Sequence, residues 1–248
     1  MRKTSENIDA LIDALPKAEL HVHIEGTFEP ELIFALAERQ GLAPPHASLE
    51  ALHAAYNFSN LQSFLDLYYG AISLLRSVED FHMLARAYFR RAAAQGVVRA
   101  EVFFDPQAHL ARGVAFETIL EGLEAAIDEA QREYQMSVGL IMCFLRDRSA
   151  DDAMATLERA LPFGDRILGV GLDSAEVGHP PSKFVDVFAR ARANGWKAVA
   201  HAGEEGPPQF VWETLDLLQV ARIDHGVRAL EDAALVERLR RERMPLTV

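Results

Sequence analysis

The sequence predicts an α/β fold built on a parallel sheet, and three observations predict it. Short β-branched and aliphatic runs alternate with longer amphipathic ones. The apolar runs are nearly continuous, as in strands buried on both faces. Polar clusters recur where those runs end, the place at which parallel α/β folds carry their ligands. A (β/α)8 TIM-type barrel is preferred to an open sheet, because residues from the first, fifth and sixth strands can then converge on one mouth.

The elements follow in order. The first strand, Glu19–Ile24, alternates its side chains, so His21 and His23 share one face while Leu20, Val22 and Ile24 take the other. About seventy residues then intervene before the second strand, far more than a usual crossover. Helical patterns at Glu31–Gln40, Asn60–Leu75 and Val78–Gln95 make this stretch, residues 27–96, a helical insertion or lid. Strands follow at Val97–Phe104, Ser137–Phe144, Ile167–Leu172, Ala198–His201, Arg222–His225 and Pro245–Val248. Helices between them are expected at Ala115–Tyr134, Ala150–Leu161, Ser182–Asn194, Pro207–Leu218 and Glu231–Arg241, with Gly195 closing the third of these. No repeat or linker divides the chain, so residues 1–248 are expected to form a single domain.

Composition narrows the classes of function. The net charge of -12 opposes a nucleic-acid or anionic-membrane surface. Its single cysteine, Cys143, excludes an internal disulfide and any cysteine-rich zinc site, so a metal would need His and carboxylate ligands. No apolar run reaches the length of a membrane span, and the first residues do not read as a signal peptide, which points to the cytoplasm.

Candidate chemistry lies at the strand ends. His21 and His23 close the first strand, Asp173 and Glu176 follow the fourth, His201-Ala-Gly-Glu204 closes the fifth, and Asp224-His225-Gly226 closes the sixth. His201 would add a third nitrogen ligand to His21 and His23 and leave positions open, an arrangement suited to hydrolysis. Glu204 stands near enough to carry protons, His225 could hold or deprotonate an attacking water, and Asp224 is expected to point off the metal face and fix the loop. Ordinary readings exist beside these: Glu205 as an acidic approach to a helix, His225 as a turn histidine, Asp173 as a loop cap. Co-occurrence at strand ends favours the chemical reading. His46, His53, His82, His109 and His179 have no such support and are expected to be non-ligands, with Cys143 a buried core residue.

The segment Leu15-Pro-Lys-Ala-Glu-Leu-His-Val-His-Ile-Glu-Gly-Thr27, together with His201-Ala-Gly-Glu204 and Ile223-Asp-His-Gly226, resembles the signatures of the adenosine/adenine deaminase family of metal-dependent hydrolases. Ile24-Glu25-Gly26 and the run from Gly171 to Pro181 are similar to the adenine deaminase branch. The resemblance implies a barrel with one zinc ion per chain that converts adenine and water to hypoxanthine and ammonia, a purine-salvage reaction. It implies His21, His23 and His201 as metal ligands and Glu204 and His225 as catalytic residues. Glu25, Asp173, Glu176 and Phe64 are expected at the substrate, with Phe58, Leu61 and Leu65 as further walls. Glu25 stands where the adenosine branch typically has Asp, and its extra methylene favours the free base. Adenosine or another cyclic amidine is the alternative substrate; a degenerate purine- or partner-binding barrel is the non-enzymatic one. Cytidine-type zinc deaminases are excluded by their Pro-Cys-x-x-Cys arm.

The family pattern also carries an eighth strand ending in paired aspartates, the first on zinc, and this sequence stops at Val248 in its seventh strand. A barrel truncated before strand 8 is therefore expected. If the chain ends there, the missing carboxylate should weaken zinc, deaminase activity should be small, and the exposed strand edges should promote association or instability, a homo-oligomer being one expected form.

Overall fold

The computed structural model describes residues 8–12, 14–44, 46–57, 68 and 70–248. Among them, strands and helices alternate in the predicted order: β1 (Lys17–His23), α1 (Pro30–Arg39), α2 (Leu49–Ala55), α3 (Val78–Ala94), β2 (Val97–Phe104), α4 (Pro106–Leu110), α5 (Phe116–Tyr134) and β3 (Ser137–Leu145). There follow α6 (Ala150–Ala160), β4 (Gly169–Asp173), α7 (Val185–Ala193), β5 (Lys197–Ala202), α8 (Pro208–Glu213), β6 (Arg222–His225), α9 (Ala233–Glu242) and β7 (Leu246–Thr247).

Most differences from expectation lie at element ends. β1 stops at His23 because Ile24–Thr27 winds into a 3-10 turn, in which the Thr27 hydroxyl donates to the Ile24 carbonyl at 2.7 Å. The helix expected from Ser182 begins as a 3-10 turn, Pro181–Phe184, before α7. α8 loosens into a π-helical turn at Thr214–Leu218, ending on Gln219 in the left-handed region. Two short helices, α2 and α4, escaped the periodicity reading because seven and five residues are too few to display a 3.6-residue repeat. The expected helix at Asn60–Leu75 falls largely outside the described residues.

The chain divides into two compact units, Met1–Val102 with Glu117–Gly139, and Phe103–Phe116 with Leu140–Val248. In the first, Asp80 is a buried anchor. It completes a capping box with Ser77 at the start of α3, and its carboxylate accepts from the Ser77 and Arg76 amides at 2.8 and 3.0 Å. Arg39 and Gln40, at the end of α1, also donate to it, so one carboxylate fastens α1 to α3. Charge-assisted bonds of this kind satisfy a group that would be costly to bury alone. α5 lies against α3 at Gly122, where an added Cβ would meet the Val78 carbonyl oxygen at 2.4 Å and Phe81 Cβ at 2.6 Å.

In the second unit, β3, β4, β5, β6 and β7 are parallel neighbours in chain order. The all-buried pattern of β4 and the nearly all-buried pattern of β5 match their continuous apolar sequence. Phe103 of β2, Ile141 and Cys143 of β3 and Val199 of β5 form a buried cluster. α9 is capped by Asp232, which accepts from the Ala234 and Leu235 amides and from the Trp212 indole at 2.8 Å. Among the described residues no helix is long and apolar enough to cross a membrane.

Gly122→Ala tests the α3 to α5 contact. Alanine would gain about 1 kcal/mol of helix propensity, but overpacking against a backbone oxygen costs about 1–3 kcal/mol. A lower urea midpoint is expected; an unchanged or raised one would show that the helices part without cost.

Candidate active site

Register and backbone strain bring three of the expected residues together in the second unit. β5 pairs with β6 so that His201 lies beside Asp224 and Ala202 beside His225. Partners in register project to the same face, which sends Asp224 toward His201. Simple alternation would then send His225 the opposite way. It does not, because His225 has a φ of +73° and turns back. Its ring lies 5.1 Å from that of His201, centroid to centroid, and its Nε2 is 3.4 Å from Glu204 Oε2.

Asp224, expected to point off the metal face and fix the loop, is fully buried, with Oδ2 3.8 Å from His201 Nδ1. Its Oδ1 accepts from Arg222 Nε at 2.8 Å and from the Thr247 hydroxyl at 2.7 Å. A carboxylate near a ring nitrogen is the usual support for a ligating histidine.

Glu176 is a correction. It was expected against substrate, but both its oxygens are taken by the loop that follows β5. Oε1 accepts from the Gly203 amide at 2.7 Å, and Oε2 from the amides of Glu204, Glu205 and Gly206 at 3.0, 2.8 and 2.7 Å. Beside it lies Arg146, whose Nη1 is 3.8 Å from Oε1. Arg146 donates through Nη1 to the His201 carbonyl at 2.8 Å and through Nε to the His179 carbonyl at 2.9 Å. Burial lowers the pKa of this guanidinium, against the pull of Glu176 and Asp173. Sequence reasoning missed Arg146. Its signal was a single cation placed directly after an apolar strand that ends among acids.

In the first unit, His21 and His23 share a face of β1 as alternation requires, with ring centroids 5.8 Å apart. Glu25 is buried in the turn that follows. Phe58, Leu61, Phe64 and Leu65 lie outside the described residues. Asp173 ends β4, buried, near the Cys143 thiol. Other histidines have structural partners: His82 with Glu129 at 3.0 Å, His109 with Arg112 at 2.6 Å, and His53 with Glu31 at 3.5 Å.

Residues 16–248 match the family model described as adenosine deaminase. The chain belongs to the adenosine deaminase family. It is 62% identical over 239 residues to an adenine deaminase of Rhodospirillum rubrum, covering 96% of this chain and 72% of that relative. The crystal structure of an adenine deaminase from Arthrobacter aurescens superposes with a TM-score of 0.92 at 52% identity, over 95% of this chain and 72% of that one. That match bears out the expected TIM-type α/β fold class. An amidohydrolase from Burkholderia ambifaria, solved with bound zinc, matches at 29% identity and a TM-score of 0.87, over 96% of this chain and 66% of that one.

Cys143 is fully buried, and burial, followed by the nearby carboxylates of Asp173, Asp105 and Asp224, pushes its thiol pKa well up. Only the thiolate reacts, so the native protein should resist a disulfide reagent at pH 8 and take up one equivalent after denaturation. Rapid labelling of the native state would contradict this placement.

Proposed function

We propose that this member of the family is a zinc-dependent adenine deaminase that hydrolyses adenine to hypoxanthine and ammonia. The observation that carries the reading is the 62% identity with the Rhodospirillum rubrum adenine deaminase, extending over 239 residues that include the strand-end signatures. Cytoplasmic purine salvage is the setting we assign.

His21, His23 and His201 are assigned as the ligands of one zinc ion per chain. The chemistry of the donors fits: three imidazoles leave a position open, and Asp224 stands behind His201 Nδ1. When bound, zinc supplies the Lewis acidity that makes a water nucleophilic near neutral pH.

The remaining work falls to side chains. Adding water across C6 would leave negative charge on the ring, and Glu204 prevents this by giving its proton to N1. His225 holds the attacking water. Its Nε2 faces Glu204 Oε2 at 3.4 Å, which gives the proton from water a route to the departing amine. Ammonia leaves as the aromatic ring re-forms. Glu25 and Asp173, both buried, are assigned to purine recognition, with Glu25 filling space that a ribose would need.

Ammonia release by the full-length protein should be at least tenfold faster, in kcat/KM, with adenine than with adenosine; the reverse preference would move the assignment to the alternative substrate. Glu204→Gln should retain zinc and lose turnover by about 10²–10⁴-fold, the usual worth of a general acid. Activity surviving that change would remove Glu204 from its role. Chelation should abolish turnover and added zinc restore it.

A further inference from the structure

We infer that Glu176 is a positioning residue for Glu204, an internal anion around which the loop 203–206 is folded and which Arg146 holds in place. The inference rests on the reading of Glu204 as proton carrier.

Four consecutive amides converge on one carboxylate, and one of them is the amide of Glu204 itself. Successive N–H groups that point inward form a concave anion-binding turn. Two glycines make it possible here. Gly203 takes a φ of +71°, which opens the turn, and Gly206 leaves room for the carboxylate, since an added Cβ would lie 2.6 Å from Glu176 Cδ. The donors are all N–H groups, so the partner must be a pure acceptor. An ionised carboxylate is one; an amide side chain is not.

Arg146 links this anion to the metal side of the site. Its Nη1 is 3.8 Å from Glu176 Oε1 and donates at 2.8 Å to the carbonyl of His201. One buried ion pair thus fixes the main chain at His201 and at Glu204, three residues apart. The Glu204 side chain then reaches to 3.4 Å from His225 from a fixed Cα. Displacement of a catalytic group by about 1 Å costs on the order of a hundredfold in rate.

The test uses the zinc-loaded, full-length protein with Glu176→Gln and, independently, Gly206→Ala, which keeps the carboxylate but displaces it. Both should lower kcat for adenine by about 100-fold with KM changed less than about threefold and zinc content unaltered. Amide exchange at residues 203–206 should quicken at least about tenfold, while exchange in α7 stays as it was. Glu176→Asp, one methylene short, should fall between. Unchanged exchange at 203–206 overturns the proposal whatever the rate, as does a kcat within about threefold of the unsubstituted protein in both variants. Gly206→Ala also presses on Phe210 Cδ2, 2.6 Å from the added Cβ, so if Glu176→Gln fails to fold, Glu176→Asp and Gly206→Ala decide together. If the unsubstituted protein releases no ammonia from adenine, the functional reading fails, and amide exchange still decides the role of Glu176.

Discussion

The guanidinium of Arg146 is wholly screened from water, at the carboxyl end of β3, and the second unit is arranged to make that tolerable. An isolated buried cation would cost several kcal/mol, and arginine cannot shed its proton to escape the cost. Three features answer it. The carbonyls of His179 and His201 accept its hydrogen bonds, Glu176 supplies the opposite charge, and the Phe210 ring lies 5.8 Å from its centre. Its own backbone amide donates to the Asp173 carbonyl, and its carbonyl accepts from Lys183. The ends of β3, β4 and β5 are therefore tied to one charged group.

Two of the described non-glycine residues in the left-handed region lie at strand ends, the others following helices. Ser174, directly after β4, and His225, at the end of β6, both adopt positive φ angles without being glycine. Conformations of this kind cost on the order of 1–3 kcal/mol each and persist only where the surroundings enforce them. At His225 the consequence is chemical: a ring that alternation would direct away is turned to lie beside His201 and Glu204. The fixed neighbours are what make the cost sustainable. Asp224, held by Arg222 and Thr247, keeps the main chain of β6 in register while the next residue reverses.

Much of this architecture was legible in the sequence. The strand boundaries at Val97–Phe104 and Arg222–His225 match the structure residue for residue, although Arg99 and Glu101 interrupt the first and the second carries only Ile223 as an apolar residue. The pairing of His21 with His23 follows from a period of two alone. Glu204 and His225 were named from their places at strand ends. Arg146 was not, since one cation after a strand resembles any other loop residue until its surroundings are known. Glu176 was read in the wrong role for a reason of position: the path of the loop after β5 cannot be inferred from local pattern.

By itself, then, the sequence determined which residues could do chemistry and that they would lie at the ends of parallel strands. Side-chain periodicity and the chemistry of imidazole and carboxylate suffice for that. Tertiary structure alone decided which carboxylates are tools and which are supports. Glu176 and Glu204 are the same residue type near neighbouring strand ends, yet one is buried under four amides and the other faces a histidine. The difference lies in the curvature of the loop and the position of Arg146, and both depend on contacts between residues about thirty to sixty positions apart.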